Sequence, residues 1–470
     1  MLISAITVIC LTLIACSAIA AYLRGNVYRA AGTAIALTFL LPTWVRVDFF
    51  KIDCDLRVLT ALAVAVVAAV SRPGWLFDRL LLSDVLVTVL VIWQTFSEWY
   101  ATGRAVIPFV ESYGAWALPY VVGRFTARSR SDLVVAGRVL MLIGIAWGVA
   151  VATEFTLGAD VYQSLFGDKP GMKFHPPRKA VRWGLNRMEG PFRHPIFWGT
   201  VCMLLTGWFL QGVGRERGWW RLFAVAGFLG GLTALASTLS RGPILALPLA
   251  ILNAVLIGYQ KAVIGAVVVV IAAGVLFVSK PQLAEDMAMR LGDISEEREK
   301  TVVVDGQEQT MSSSMSRLLL LKNYWKAVKH AGFIGYGMTA TDTMPPNVPH
   351  VPFDEVTRKP LPIIDNSYVM LALRGGWVQS IAFLLLHFSA MWQALRIRDP
   401  DNQLIVFKRM LAGCIGAHAF IVFTVYPDFD FMFVFLWTVG VTSVNLTLSD
   451  SDGGRVSEAA GVAGRGLSRK

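Results

Sequence analysis

The chain has 470 residues and a net charge of +11, with 55% hydrophobic and only 16% charged residues and a mean hydropathy of +0.57. A water-soluble domain carries about 25% charged residues, so something other than water solvates much of this surface. Arginines in loops beside a membrane explain the basic balance, with no call for nucleic acid as a partner.

Apolar stretches recur along the whole chain, for example at 61–70, 80–93, 133–152 and 263–278. Crossing a bilayer core takes about 20 helical residues, so the shorter stretches need their flanks. The pattern predicts an all-α, polytopic membrane protein with about thirteen candidate spans. They lie near 2–21, 30–45, 57–71, 80–97, 105–122, 132–157, 194–212, 219–239, 242–258, 262–279, 366–394, 409–426 and 431–447. The first lacks a basic leader and runs into a second apolar stretch, so it reads as a retained helix. The division expected is 1–157 (helices), 158–193 (basic loop), 194–279 (helices), 280–364 (large loop or cap), 365–447 (helices) and 448–470 (disordered tail).

Lys and Arg in short loops set orientation. One alternating set holds Arg24 and Arg29, Arg72 and Arg79, Arg124, Arg128 and Arg130, Arg215, Arg217 and Arg221, Lys261, and Arg396, Arg398, Lys408 and Arg409. That side is the cytoplasm, with the N-terminus outside and the basic tail inside. The loop 158–193 then lies outside, although it carries Lys169, Lys173, Arg178, Lys179, Arg182, Arg187 and Arg193. A basic outer loop breaks the charge rule, so either the topology differs there or the charge has a function. Within the second outer loop, 316–330 reads as an amphipathic helix, followed by a turn-rich 332–337 and a proline-rich 345–362.

Three places carry chemistry. Arg241 sits between two apolar helices at an outer end; it is either an anion clamp using its planar fork or a headgroup anchor. Arg193 and His194 open a helix with Pro195 in its first turn, a setting that suits an anion. Glu189 beside them is a base or the ion-pair partner of Arg193. Asp365 and Asn366 stand at the outer end of a long helix, as catalytic groups or as a plain cap. Asp365, Tyr368, Ala372 and Gly376 share a face at helical spacing, and Gly375-Gly376 is a point of bending. Arg374 lies about two and a half turns into that span, where it needs a partner or a polar cavity. The five cysteines and six histidines show no metal-ligand spacing, and there is no P-loop, GxSxG or dinucleotide motif. Neither metal nor other cofactor is expected.

The order of these features resembles the bacterial O-antigen ligase and O-antigen polymerase superfamily over about 188–426. Ser240-Arg241-Gly242 is similar to the family's Ser-Arg-Gly element. Residues 324–337 resemble its Trp-containing helix and Gly-x-Gly turn, and 365–376 its His-Asn-x-Tyr helix start, with Asp365 in place of His. The resemblance implies a membrane glycosyltransferase at the periplasmic face of the inner membrane. Its donor is an undecaprenyl-pyrophosphate-linked oligosaccharide, its acceptor a glycan or lipid, and its surroundings membrane lipids. Chain-length regulator and export proteins are possible partners. Asp365 is then the base, with Glu189 or His350 as substitutes. Arg241 is the main cation on the leaving pyrophosphate, helped by Arg193 and Arg374. Arg187, His194, Asn366, Tyr368 and His350 are further binding candidates. The missing His favours a repeat-unit polymerase over an O-antigen ligase. The rival from another class is a lipid-linked oligosaccharide flippase, which would place charges deep inside several helices rather than in outer loops.

Overall fold

The computed structural model describes residues 14–15, 19, 26–49, 52–71, 80–126, 129–168, 181–182, 184–256, 300–304, 307–311, 313–343, 347–355, 359–360, 365–397 and 404–442. The expected spans at 2–21 and 262–279 and the tail at 448–470 lie wholly or almost wholly outside these residues.

Helices account for most of the described chain. They are α1 (Val27–Thr38), α2 (Leu56–Ser71), α3 (Leu82–Thr102), α4 (Val106–Ser112), α5 (Leu118–Thr126), α6 (Arg130–Leu157), α7 (Val161–Phe166), α8 (Pro195–Arg215), α9 (Trp219–Ser237), α10 (Arg241–Leu256), α11 (Ser313–Ala331), α12 (Met338–Thr343), α13 (Ser367–Leu395), α14 (Ile405–Ile421) and α15 (Phe429–Thr442). Four short antiparallel hairpins, β1–β2 (Arg46–Phe49, Ile52–Asp55), β3–β4 (Val181–Arg182, Leu185–Asn186), β5–β6 (Lys300–Val304, Gln307–Met311) and β7–β8 (Phe353–Asp354, Lys359–Pro360), sit in the connections. Segments of α6, α8, α9 and α13 are each long and apolar enough to cross a membrane. Large apolar side chains such as Val149, Phe155, Leu229 and Leu245 are exposed on α6, α9 and α10. In water that surface would be a liability; against lipid it is the expected solvent-facing side.

Without a hydrophobic driving force in lipid, helices associate through close packing of small residues. Gly144 and Gly148 of α6 lie directly against Gly227 and Gly230 of α9, where a Cβ would overlap backbone. Deeper in the bundle, the Trp208 ring packs 4.8 Å from Phe407 and 5.4 Å from Trp437. At one end of the bundle Arg124 pairs with Asp84, Arg29 with Asp132 (3.1 Å) and Arg138 with Glu216 (2.8 Å). These arginines hold helix ends together at the end opposite to the loops discussed next.

Three expectations are corrected. The span at 105–122 is α4 and α5 joined through a π-helical turn (Tyr113–Ala117), and it continues to Thr126. The span at 409–426 ends earlier, at Ile421, which frees 422–428 as a turn. Most important, the span at 366–394 is not one straight helix. Its backbone leaves helical geometry at Gly375 (φ −124°, ψ 20°) and Gly376 (φ 67°, ψ −167°). Beyond the break, the Ser380 hydroxyl donates to the Tyr368 carbonyl at 3.1 Å, and the Phe383 ring lies 5.7 Å from the Tyr368 ring. Twelve residues of straight helix would separate Tyr368 and Ser380 by about 18 Å. The short arm 367–374 is therefore folded back against 377–395. Gly376 has left the face it was expected to share with Asp365.

Candidate functional site

A broken helix leaves carbonyls without their usual partners, and these must be satisfied from elsewhere. The turn 332–337 and α3 do this. Tyr336 N–H donates to the Leu373 carbonyl (2.7 Å), Gly337 N–H to the Arg374 carbonyl (2.9 Å), and the Ser97 hydroxyl to the same Arg374 oxygen (2.6 Å). Trp93 Nε1 donates to the Gly375 carbonyl (2.8 Å) and the Phe333 carbonyl (3.1 Å), while Trp377 N–H reaches the Gly332 carbonyl (2.9 Å). Both Gly335 (φ 84°) and Gly376 (φ 67°) are left-handed, and a Cβ on either would run into the other strand of this clasp. The Gly-x-Gly turn and the Gly-Gly break are two halves of one joint.

The clasp fixes Arg374 at the tip of the short arm. Its guanidinium donates to Asp342 Oδ1 of α12 (2.8 Å), to the Tyr426 hydroxyl oxygen (2.6 Å) and, through Nε, to Thr341 (3.2 Å). The partner expected for this buried cation is thus a carboxylate from the large loop. Beside it, Thr339 donates through its backbone N–H (3.0 Å) and its hydroxyl to the buried Glu98 carboxylate at the end of α3.

At the foot of the arm, Asn366 caps the helix by accepting from Val369 N–H (3.1 Å). Ser367 ties the foot to the turn 422–428: its N–H donates to the Val422 carbonyl (2.8 Å) and its hydroxyl to the Val425 carbonyl (2.7 Å). Tyr368 is buried and donates to the Ala419 carbonyl (3.1 Å). Asp365 is half-buried just ahead of Asn366.

The Ser-Arg-Gly element lies on the other side of the same turn. The link between α9 and α10 contains Leu239 in a left-handed conformation (φ 48°), a strained state for a branched side chain. Basic residues of the preceding loop hold it. Arg182 donates to the Leu239 carbonyl (2.6 Å), and Arg187 donates to the Thr238 carbonyl (3.0 Å) and the Ser240 hydroxyl (2.8 Å). These carbonyls end a helix, where the dipole is negative and cations are favoured. Part of the positive charge that broke the loop rule is therefore used inside the protein. Arg241, half-buried, opens α10, and a Cβ on Gly242 would sit 3.3 Å from the Thr424 hydroxyl of the turn.

A second charged centre lies at the far end of the turn. Arg193 grips Asp430 with Nε (3.1 Å) and Nη2 (3.0 Å), and Nη2 also reaches Asp428 (3.1 Å). Thr43 donates to Asp430 (2.8 Å), and Arg57 donates to the Asp430 carbonyl (2.8 Å) while pairing with Asp55 (2.7 Å). Asp430 has 0% exposure. Burial and the neighbouring Asp430 push the Asp428 carboxyl up to about 6, against the opposing pull of Arg193. His194 caps α8 through Nδ1, accepting from Ile196 N–H (3.2 Å). Glu189 lies half-buried in the same bend, its carbonyl accepting from Phe192 N–H (3.1 Å). His350 is exposed on the large loop, with its ring 5.2 Å from that of His330.

The residues singled out from the sequence include Arg241, Arg187, Arg374, Asn366 and Tyr368, but not the turn 422–428 near them. It did not single out Tyr426, Asp428, Asp430, Asp342 or Arg57. The available signal was the pair of aspartates around Phe429, directly ahead of an apolar helix, where charges need partners.

Apolar helices with exposed lipid-type faces and polar groups gathered at one end define a multi-pass membrane protein. Residues 226–384 match the O-antigen ligase family, a stretch that contains all three motifs. Over that stretch, about a third of the chain, the sequence is similar to O-antigen ligases. No curated protein matches the chain.

Proposed function

We propose that the protein moves glycan from an undecaprenyl-pyrophosphate carrier to a sugar hydroxyl at the periplasmic face of the inner membrane, acting as a repeat-unit polymerase. The observation that carries this reading is the convergence of two family motifs, through Gly242 and through Ser367 and Arg374, on the turn 422–428, with the third motif's turn 332–337 clasping the Arg374 backbone. Cleavage of the donor builds negative charge on the departing lipid pyrophosphate. Cations aimed at that charge lower the barrier, and losing one such donor typically costs about 100- to 1,000-fold in rate.

Arg241 is the principal clamp. Arg374 is the second, because its carboxylate partner Asp342 is 39% exposed and a phosphate can compete for the fork. Arg187 supports the Arg241 turn, and Arg193, with Nε and Nη2 held by carboxylates, sets the floor rather than binding phosphate. The acceptor's proton goes to a carboxylate, a role that the resemblance gives to Asp365. Attack opposite the leaving group inverts the anomeric centre. Aspartate where ligases carry histidine favours a polymer of O-antigen, capsule or exopolysaccharide repeats over transfer to lipid A-core.

The test is complementation of a deletion strain with Arg241→Ala and Arg374→Ala, protein amounts matched. Single repeats on the outer leaflet are expected in place of polymer. Normal polymer length and yield from both variants would sink the proposal, and repeats trapped on the inner leaflet would favour a flippase.

A further inference from the structure

Among the described residues, the charged centre around Arg193 holds three carboxylates (Asp55, Asp428 and Asp430) and two guanidiniums in contact with them, Arg57 and Arg193. Each carboxylate has a different degree of engagement. Asp430 is fully buried and gripped through both oxygens by Arg193, with Thr43 on Oδ2 and Arg57 Nη2 3.7 Å from Oδ1. Asp55 takes Arg57 on Oδ2 and caps α2 through Val58 N–H on Oδ1 (2.8 Å). Asp428 caps α15 through Oδ1, which accepts from Asp430 N–H (2.8 Å), and shares only the remaining reach of Arg193 Nη2. Its Oδ2 has a single long contact, 3.4 Å to that same nitrogen.

Position adds to this. Asp428 stands two residues from Tyr426, whose hydroxyl holds Arg374. It is on the turn that meets Ser367 and Arg374 of one motif and Gly242 of another. The charged and titratable groups around it are Asp430 on α15, Arg193 ahead of α8, Arg46 on β1, Arg57 on α2, Asp55 on β2, and Tyr426 on its own turn.

We infer that Asp428, rather than Asp365, is the catalytic base of the proposed transfer, taking the acceptor hydroxyl's proton on Oδ2. The inference rests on the glycosyltransferase reading above. In the step, the acceptor O–H bond breaks and its proton passes to Asp428. The acceptor oxygen bonds to the anomeric carbon, the bond from that carbon to the pyrophosphate oxygen breaks, and its electron pair leaves on the phosphate. Asp430 stays as counter-ion to Arg193, so the two aspartates divide the work. A base is most useful when it is half-loaded near the working pH, and a carboxyl raised to about 6 meets that condition.

The experiment uses the full-length protein in detergent micelles and the lipid-linked glycan extracted from a deletion strain. Release of carrier pyrophosphate is followed from pH 4.5 to 8. Wild type should lose rate on the acid side with a midpoint near 6. Asp428→Asn should fall by about 100-fold or more and lose that acid limb, Asp428→Glu should recover part of the rate with a moved midpoint, and Asp365→Asn should keep the limb. Asp428→Asn within tenfold of wild type, or Asp365→Asn abolishing the limb, overturns the inference alone. If Asp428→Asn does not fold, an unmoved midpoint in Asp428→Glu overturns it as well. A wild-type protein that releases no pyrophosphate overturns the glycosyltransferase reading, and the base assignment falls with it.

Discussion

Two arginine centres face each other across the turn 422–428, and they are built differently. Around Arg193, three carboxylates and a second arginine close a network whose central Asp430 is inaccessible. Around Arg374 there is one carboxylate, Asp342, partly open on the large loop, together with neutral oxygens from Tyr426 and Thr341. A sealed ion network costs much to desolvate and even more to leave incomplete, so it suits a scaffold. A cation with one replaceable partner can exchange it for a phosphate. On the proposed reading, the first centre sets the geometry and the second meets the ligand.

Substitutions should separate the two. Arg193→Ala leaves buried carboxylates uncompensated and should cost about 3–5 kcal/mol, seen as loss of monodisperse protein in detergent chromatography. If Arg193→Ala instead folds normally and loses only activity, the contrast between the centres is wrong. Arg374→Ala should leave the protein folded and lower transfer by about 100-fold, a loss of about 2.7 kcal/mol in transition-state stabilisation. Gly376→Ala strains a left-handed backbone and pushes a methyl into Phe333, so a loss of about 1–3 kcal/mol in a thermal melt is expected.

The smallest effect concerns pH. The folded-state carboxyl of Asp428 is raised from 3.8 to about 6, so between these values the folded protein holds a proton that the unfolded chain has released. Its stabilising contribution is complete below the lower value and is lost as pH rises through the upper one, at most about 1.4 kcal/mol per pH unit. Asp428→Asn should flatten that slope and melt no lower than wild type at pH 7. A steeper slope in the variant would contradict the assigned environment.

The membrane helices were legible because an apolar run needs only local sequence to reveal itself. Boundaries such as Leu56, Pro195 and Trp219 fell within a residue or so of expectation, since capping and charge mark them locally. The reversal in α13 was not legible. Gly375-Gly376 sits in an unbroken apolar stretch, and only the clasp from residues 332–337 and from α3 turns a bend into a fold-back. The Arg193 network was hidden for the same reason. Arg193 and Asp430 are 237 residues apart, and each looks like an ordinary helix-end charge until the helices meet. Arg241, by contrast, was visible from its isolation between apolar runs.

The clasp around Gly375-Gly376 also constrains how the chain can be assembled. Carbonyls at Leu373, Arg374 and Gly375 find their donors on Trp93, Ser97 and the turn 332–337, hundreds or tens of residues earlier. Bare carbonyls in hydrocarbon each cost several kcal/mol, so the fold-back is unfavourable until those donors are in place. A nascent 367–395 segment would enter the bilayer as one continuous helix and reverse only after the large loop has docked on α3. The fold-back is then the last event of biogenesis, and a protein halted before it would be inserted and helical but without its joint.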